Sequence, residues 1–331
     1  MIYSGNQLKG TVSAHRPTTT EYIPFYDYKN NDGSNSRCPP VHRTLTSKKT
    51  GQRAFDKCID YQEQLVYPCE QGPGLAATGD MIRGKHCFHN ADDLILGGVA
   101  AAKNEFPHMV MLGYGDNINL KWLCGGSLIS DKFILTAGHC IGVNGLGNVS
   151  HVLVGALHRN EVSDRTKIYK VKSIIIHPGY QPPSKYNDIT LLETEKKIAL
   201  SKFVVPACLH VGDPVVDDRV LATGWGLTEC KGTLSKALQK VCKERVCKFR
   251  NLKFGFDAKT QLCYGDRELP KDTSEGDSGG PIQIKSRKVN CMYIIVGVTS
   301  FGRECGLLGE PTVYTRVLDY LSWIENIVWP Y

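Results

Sequence analysis

The sequence contains no Cys-x-x-Cys pair, no strong internal repeat and no apolar run near the roughly 18 residues that cross a membrane. The opening residues Met1–Asn6 lead into polar sequence and lack the apolar core of a signal peptide. These absences argue against a zinc site and a membrane span. We therefore expect no metal, no cofactor and no membrane partner, and an N-terminus that is incomplete in this chain.

Cysteine, by contrast, is plentiful: 13 residues are scattered singly along the 331-residue chain. Such usage is typical of a disulfide framework formed in an oxidising compartment, which predicts a secreted, extracellular protein. The net charge of +7 comes from basic residues that are spread out. Solvated loops explain this spread better than an acidic partner does, so we expect no nucleic-acid binding.

Two regions differ in texture. Residues 1–94 are rich in Thr, Asn, Gly, Pro and Lys and have few apolar runs, which predicts a poorly ordered pro-region or linker. Disulfides could stabilise a small unit there, formed by Cys38, Cys58, Cys69 and Cys87. Four cysteines allow three sets of pairings, and the sequence leaves the choice open. Residues 95–331 form the second predicted domain.

After Ile95, short apolar segments alternate with Gly, Pro, Asn and Asp turns, which predicts an all-β barrel or sandwich. Val317, Leu321, Ile324 and Val328 recur at helical spacing and predict a terminal helix. The predicted strands contain residues 126–129, 133–136, 151–154, 174–176, 189–192, 220–222, 294–298 and 313–315.

A serine in a glycine-rich bend is the first catalytic candidate. Ser278 lies within Gly276–Pro281, where missing side chains would let a substrate carbonyl approach backbone N–H groups. Taken alone, this segment is equally well explained as an ordinary turn.

A histidine and an aspartate strengthen the catalytic interpretation. His139 follows a predicted strand and precedes Cys140, and Asp188 opens the apolar segment Ile189–Leu192. A structural histidine and a strand-start turn residue are the alternatives when each is taken singly. The order His139, Asp188, Ser278 makes coincidence remote and points to nucleophilic catalysis.

These motifs resemble the chymotrypsin/trypsin-like serine proteases over residues 95 to about 330. The resemblance implies two six-stranded antiparallel β-barrels with a C-terminal helix. It also implies that Ser278 attacks a peptide carbonyl, that His139 moves the proton and that Asp188 orients the imidazole. Backbone N–H groups of Gly276 and Ser278 would form the oxyanion hole.

The resemblance also implies a zymogen. Ile95-Leu96-Gly97-Gly98 looks like the N-terminus that family members gain on cleavage, and its ammonium would pair with Asp277. Leu94 stands before the cut in place of Arg or Lys, so we expect an upstream activating protease with apolar specificity.

Three disulfides follow from the same resemblance: Cys87–Cys208, Cys124–Cys140 and Cys247–Cys263. The first would tether the pro-region after cleavage. Phe106–Met109, Lys57–Tyr61 and Val298–Gly302 are similar to arthropod clip-domain proteases of the Snake type. Only three cysteines precede Cys87 where a clip domain has six, so that domain is partial or absent.

Specificity in this family depends on the residue six places before the nucleophile, here Asp272, beside Thr273. A carboxylate there selects Arg or Lys; the alternative is an exposed loop acid. Ser300, Phe301 and Gly302 would pair with the substrate backbone. Two departures disturb this pattern. Thr312 replaces a glycine and would narrow the pocket, and Ser274 replaces the cysteine expected to bridge to Cys305.

Two functions fit these residues. The first is a secreted, cleavage-activated endopeptidase in a Toll, immune or developmental cascade. Its partners would be a protein substrate such as a downstream zymogen or cytokine precursor, and serpin-type inhibitors. The second is a catalytically weak homologue that acts as a cascade cofactor. A purely structural module would leave the triad and the Ile95–Asp277 pattern unexplained.

Asn148 begins a glycosylation sequon, and such sequons are often unused.

Overall fold

The computed structural model describes 11 stretches of the chain: residues 28–29, 35–36, 38–72, 81–88, 98–116, 119–212, 219–227, 233–245, 256–265, 276–302 and 311–331. The chain divides into Met1–Pro40 and Val41–Tyr331. In the first unit, β1 (Tyr28–Lys29) pairs with β2 (Asn35–Ser36) in antiparallel fashion. All further elements belong to the second unit.

Residues 41–72 and 81–88 have defined structure, although they precede the predicted boundary at Ile95. Helix α1 (Arg53–Tyr61) continues into a wide helical turn over Gln62–Val66. A hairpin of β3 (Cys69–Gln71) and β4 (Met81–Arg83) follows. The linker interpretation therefore does not describe residues 41–72.

The first barrel closes around apolar side chains of alternating strand positions. Leu112, Ile134, Val152 and Leu192 are fully buried and lie on one face of the sheet, because side chains at every second position of a strand point to the same side. The short strand β5 (Val99–Ala100) precedes the barrel. Strand β9 (Gly142–Val143) pairs with the start of β10 (Gly147–Val154). The elements are β5 (Val99–Ala100), β6 (Met109–Tyr114), β7 (Lys121–Leu128), β8 (Phe133–Thr136), β9 (Gly142–Val143), β10 (Gly147–Val154), β11 (Ile168–Ile176) and β12 (Thr190–Thr194). The barrel order is β6-β7-β8-β12-β11-β10, closed by the pairing of β10 with β6.

The second barrel repeats this design and carries the C-terminal helix. Its strands are β13 (Cys208–Leu209), β14 (Arg219–Gly224), β15 (Gln239–Arg245), β16 (Gln261–Gly265), β17 (Pro281–Lys285), β18 (Tyr293–Phe301) and β19 (Thr312–Arg316). The order β14-β15-β16-β19-β18-β17 closes through β14 and β17, while β13 adds to β18 and β5 adds to β15. One 3₁₀ turn (Val317–Tyr320) leads into α2 (Leu321–Val328). Two closed six-stranded antiparallel barrels and a short terminal helix confirm the predicted fold class.

Shorter 3₁₀ turns lie at Gly138–Ile141, Arg159–Ser163 and Arg165–Lys167. In the part of the chain that the structure describes, no helix has the length and apolar character needed to cross a bilayer.

One predicted disulfide pairing is wrong. Cys208 is bonded to Cys58 and not to Cys87, because α1 packs against β13 and brings the two Cα atoms to 5.0 Å. Cys87 instead reaches Cys291, with a Cα–Cα distance of 5.7 Å. The sequence signal that could have placed Cys58 is the helical spacing of Phe55, Cys58, Ile59 and Gln62.

Two further pairings were expected. The Cys124–Cys140 disulfide is present. Cys247 lies outside the described residues, so the pairing of Cys247 with Cys263 stays a prediction.

A buried ion pair anchors the chain just after the predicted cleavage site. The Lys240 ammonium lies 2.7 Å from the Glu105 carboxylate, and both side chains are less than a tenth exposed. The second Glu105 oxygen accepts the Ala102 backbone N–H at 2.8 Å, while Lys240 pairs with Val99 in the β5–β15 ladder. Glu105 thus fastens the segment behind β5 to the second barrel.

We expect Glu105→Ala to lower the free energy of unfolding by about 3–5 kcal/mol, because it leaves the Lys240 charge buried without its carboxylate. Urea unfolding measures this loss. Lys197→Ala is the matched control: its pair with Asp131 is also 2.7 Å long, but the Lys197 side chain is 74% exposed. The control should change stability far less, and equal losses in the two variants would refute the buried-pair argument.

Candidate active site

Asp188 is a fully buried carboxylate two residues before β12. Its Oδ1 accepts the backbone N–H of His139 at 2.8 Å, and its Oδ2 lies 2.8 Å from Nδ1 of the same residue. The Ser300 hydroxyl also donates to Oδ2. Burial by itself raises the pKa of Asp188, but hydrogen bonds from His139 and Ser300 and the positive charge of His139 outweigh burial and lower it. Asp188 is therefore ionised at neutral pH.

The backbone around Asp188 is held by residues from the other end of the chain. Asn187 adopts a left-handed φ of +54°, a conformation that Asn tolerates better than most residues. Its amide donates to the Gly179 carbonyl at 2.9 Å and its oxygen accepts the Tyr320 hydroxyl at 2.9 Å. The Thr315 hydroxyl donates to the Asp188 carbonyl at 2.9 Å. Sequence analysis missed Thr315 and Tyr320, and no local pattern marks them.

His139 lies in the 3₁₀ turn Gly138–Ile141, directly after β8. The neighbouring Cys140 is bonded to Cys124 of β7, which fixes this turn to the barrel wall. A carboxylate only accepts hydrogen bonds, so Nδ1 facing Asp188 carries a proton. The imidazole is 23% exposed, and its Nε2 is the nitrogen left for a substrate-side proton transfer.

Ser278 lies in a loop whose backbone conformation favours glycine at two nearby positions. Gly276 and Gly279 have φ values of +98° and +74°, and the Ser278 carbonyl accepts the Gly125 N–H of the first barrel at 2.8 Å. On the other side, the Gly279 N–H donates to the Thr299 carbonyl of β18 at 2.9 Å. The loop is thus pinned between the two barrels, on the β18 end that also carries Ser300.

The neighbouring Asp277 side chain contacts Gly224 and Gly226. Its Oδ1 accepts the Gly226 N–H at 2.9 Å. A Cβ at Gly224 or Gly226 would overlap this carboxylate, so both positions require glycine. Sequence analysis missed this cradle, although Gly-Trp-Gly immediately after a predicted strand was available as a signal.

The remaining predicted site residues fall in two groups, those that the structure describes and those outside the described stretches. Phe301 ends β18 and Gly302 follows it, Thr312 is buried opposite Tyr264 at the start of β19, and Asn148 is exposed near the start of β10. Leu94, Ile95, Asp272 and Thr273 lie outside the described residues. Within the described stretches, no group of three or more His, Cys, Asp or Glu side chains is arranged to hold a metal ion.

Gly279→Ala tests the steric constraint on the Ser278 loop. An added Cβ would overlap the Thr136 hydroxyl and lie 2.7 Å from the Gly125 carbonyl oxygen, so the loop must shift. We expect a loss of unfolding free energy, measured in urea, that clearly exceeds the loss in the control Gly145→Ala. Gly145 has a similar φ of +79° but no atom within 4 Å of an added Cβ, which isolates the left-handed backbone cost of about 1–2 kcal/mol. Equal losses would contradict the proposed overlap.

The family model described as Trypsin matches residues 95–324. The match begins at the predicted cleavage site and includes both barrels and the first half of α2.

Individual relatives point the same way. The chain is 38% identical over 267 residues to the serine protease snk of Drosophila melanogaster, covering 76% of this chain and 61% of that protein. It is 34% identical over 252 residues to the serine protease Hayan, covering 71% and 39%, and 34% identical over 271 residues to melanization protease 1, covering 73% and 68%; both are from the same organism. The chain thus spans less than two thirds of the first two relatives. The family match and these identities together show that the chain belongs to the trypsin family of serine proteases.

Proposed function

We propose that the chain is a zymogen of a secreted serine endopeptidase whose catalytic triad is His139, Asp188 and Ser278. One observation carries the proposal: the buried Asp188 carboxylate accepts two hydrogen bonds from His139 and one from Ser300. Only an ion that a partner compensates is tolerated at full burial. These contacts correspond to the base and the acid of a catalytic triad, in which the acid orients the base.

In the proposed reaction the Ser278 hydroxyl oxygen forms a bond to the scissile carbonyl carbon while His139 Nε2 takes the hydroxyl proton. The tetrahedral intermediate then breaks the C–N bond, and the imidazolium gives its proton to the leaving amine. Water repeats the sequence on the acyl-enzyme, releasing the acid and restoring Ser278. Asp188 stays ionised throughout and stabilises the imidazolium.

Backbone N–H groups of Gly276 and Ser278 form the proposed oxyanion hole. The positive φ of Gly276 and the clamp of the Ser278 carbonyl on Gly125 support this role, because they fix the loop before substrate arrives. Preorganised donors of this kind act without reorganisation when charge develops.

Cleavage between Leu94 and Ile95 is the proposed switch. Val99 pairs with Lys240 of β15, and the four residue spacings from Ile95 to Val99 reach at most about 14 Å. Asp277 lies beside Gly224, and Gly224 pairs with Gln239 of β15. The next residue of β15, Lys240, pairs with Val99. Two interstrand spacings are about 10 Å, so the freed Ile95 ammonium can reach the Asp277 carboxylate.

The proposed substrates are protein chains cut after Arg or Lys, selected by Asp272 and Thr273. Ser300, Phe301 and Gly302 at the end of β18 would add the substrate backbone as an extra strand. The Ser300 hydroxyl is turned to Asp188, which leaves its backbone groups for this pairing.

The proposed setting is an extracellular proteolytic cascade. Disulfides Cys58–Cys208, Cys87–Cys291 and Cys124–Cys140 support an oxidising compartment. The names of melanization protease 1 and, at 33% identity, coagulation factor XI of Bos taurus support a cascade role. An activating protease with apolar specificity, a downstream zymogen or cytokine precursor, and serpin-type inhibitors are the proposed partners.

One observation favours the second candidate, a catalytically weak homologue acting as a cascade cofactor. Thr312 is 1% exposed, opposite Tyr264, where the family pattern has glycine. Its hydroxyl and methyl would occupy space that an Arg or Lys side chain needs.

Cleavage can be imposed because the native sequence already has Asp92-Asp93 before the cut. The variant Asn90→Asp/Ala91→Asp/Leu94→Lys presents Asp-Asp-Asp-Asp-Lys to enteropeptidase and leaves Ile95 as the new N-terminus. We expect labelling by a serine-directed fluorophosphonate only after the cut, because the freed Ile95 ammonium then pairs with Asp277 and fixes the loop that carries Ser278. The same variant carrying Ser278→Ala is the control and should take no label. A cut protein that stays unlabelled while its fold is intact would favour the cofactor hypothesis.

Specificity is tested in the cut enzyme with peptides that differ only before the scissile bond. Asp272→Ser should lower kcat/KM for Arg and Lys peptides by about 30-fold or more, about 2 kcal/mol, because the substrate charge loses its pocket partner. Thr312→Gly should raise it. Leu peptides serve as the internal reference, and an unchanged ratio of Arg to Leu hydrolysis in Asp272→Ser would refute the trypsin-like preference.

A further inference from the structure

We propose that the chain has a second binding site, a cavity that takes a linear carboxylate with an apolar tail, such as a fatty acid of medium length. The cavity has a volume of about 690 Å³. Its described walls come from residues 102–107 behind β5, residues 154–169 after β10, residues 199–204 between β12 and β13, and Leu238. The described residues that line it do not include the triad. The site is therefore separate from the peptidase centre and is formed in the uncut chain.

Apolar side chains form most of the cavity wall. Phe106 and Leu238 belong to one buried apolar cluster, and Val154 and Val204 belong to another. Phe203 also lines the cavity and is 42% exposed, so the apolar wall continues to the surface. The volume lies within the range of small-molecule pockets, about 300–1,000 Å³. Water finds few hydrogen-bond partners on such walls, whereas an apolar tail gains free energy when it leaves water.

The polar groups on the wall offer protons to a ligand. The Tyr169 hydroxyl accepts the Ala199 N–H at 3.1 Å, and the Ser201 hydroxyl accepts the Phe203 N–H at 3.2 Å. The proton of each hydroxyl is left for an acceptor. Lys103 is exposed, and its ammonium has no carboxylate partner among the described residues. A carboxylate only accepts hydrogen bonds and supplies the negative charge that Lys103 lacks, so it complements these donors.

A cationic ligand finds no such complement. Glu161 is the single carboxylate among the described residues that line the cavity. One of its oxygens accepts the N–H groups of Leu157 at 2.8 Å and His158 at 2.9 Å. The other oxygen accepts the Lys167 ammonium at 2.7 Å. Glu161 is thus already paired, and the remaining charge on the described wall selects an anion.

The cavity volume sets the length of the tail. A methylene group takes up about as much space as one water molecule, ~30 Å³, so a chain of about 12 carbons fills about half of the cavity. Burial of each methylene raises the affinity about fourfold. We therefore use dodecanoate as the probe and expect its affinity to depend on tail length.

The first experiment uses the native, uncut chain. Isothermal titration calorimetry measures the binding of dodecanoate below its micelle concentration, and we expect one saturable site. Decanoate and octanoate should bind about tenfold more weakly for each two carbons removed. Dodecylammonium has the same tail and the opposite charge, and it should bind at least about tenfold more weakly than dodecanoate. No saturable binding of dodecanoate, equal affinity for octanoate, or equal affinity for dodecylammonium would overturn the proposal.

A second experiment places the ligand in the cavity. Ala199 is exposed and lines the cavity, so Ala199→Trp should cover the opening and weaken dodecanoate binding at least about tenfold. Ala258→Trp is the matched control, because Ala258 is exposed but does not line the cavity. Unchanged binding in a folded Ala199→Trp variant would show that dodecanoate binds elsewhere, which would overturn the proposal.

A third experiment exchanges the charge at the wall. Lys103→Glu should invert the preference, so that dodecylammonium binds more tightly than dodecanoate. Lys259→Glu changes the net charge equally at an exposed residue outside the cavity and should keep the native preference. An unchanged preference in Lys103→Glu would refute the role of Lys103 and with it the proposed carboxylate. The series of tails and head groups on the native chain decides the proposal if a variant does not fold.

Discussion

The buried Asp188 carboxylate constrains two distant parts of the chain at once. It must accept hydrogen bonds because an uncompensated charge cannot be kept at full burial. His139 from the first barrel and Ser300 from the second supply them. The orientation of the imidazole and the position of the β18 end therefore both follow from the need to give one buried carboxylate its hydrogen-bond donors.

The loop around Ser278 obeys a steric constraint of similar weight. Positive φ angles at Gly276 and Gly279, together with the contact between Ser278 and Gly125, leave no room for side chains beside the nucleophile. The Asp277 cradle at Gly224 and Gly226 adds the same restriction one residue earlier. Missing side chains thus give the loop both its shape and its access to substrate.

Residues 41–72, the N-terminal segment, are structured although this part of the sequence has few apolar runs. Its own apolar residues are too few to form a core, as the sequence indicated, but they suffice when β13, the turn 286–292 and α2 provide the other half. The linker interpretation failed there because burial depends on surface contributed by residues about 150 to 270 positions away. The wrong partner for Cys208 has the same origin.

Local sequence determined the strand-and-turn pattern, the terminal helix from Val317 to Val328, and the three catalytic candidates. Each is encoded by alternation, spacing or a short motif whose physics is local. The tertiary structure decided which distant groups complete the site: Ser300, Thr315 and Tyr320 around Asp188, and Gly224 and Gly226 around Asp277. Gly224-Trp225-Gly226 signals a turn but not the residue that it contacts. Ser300, Thr315 and Tyr320 carry no local signal of their role, because their hydrogen bonds exist only after both barrels have closed.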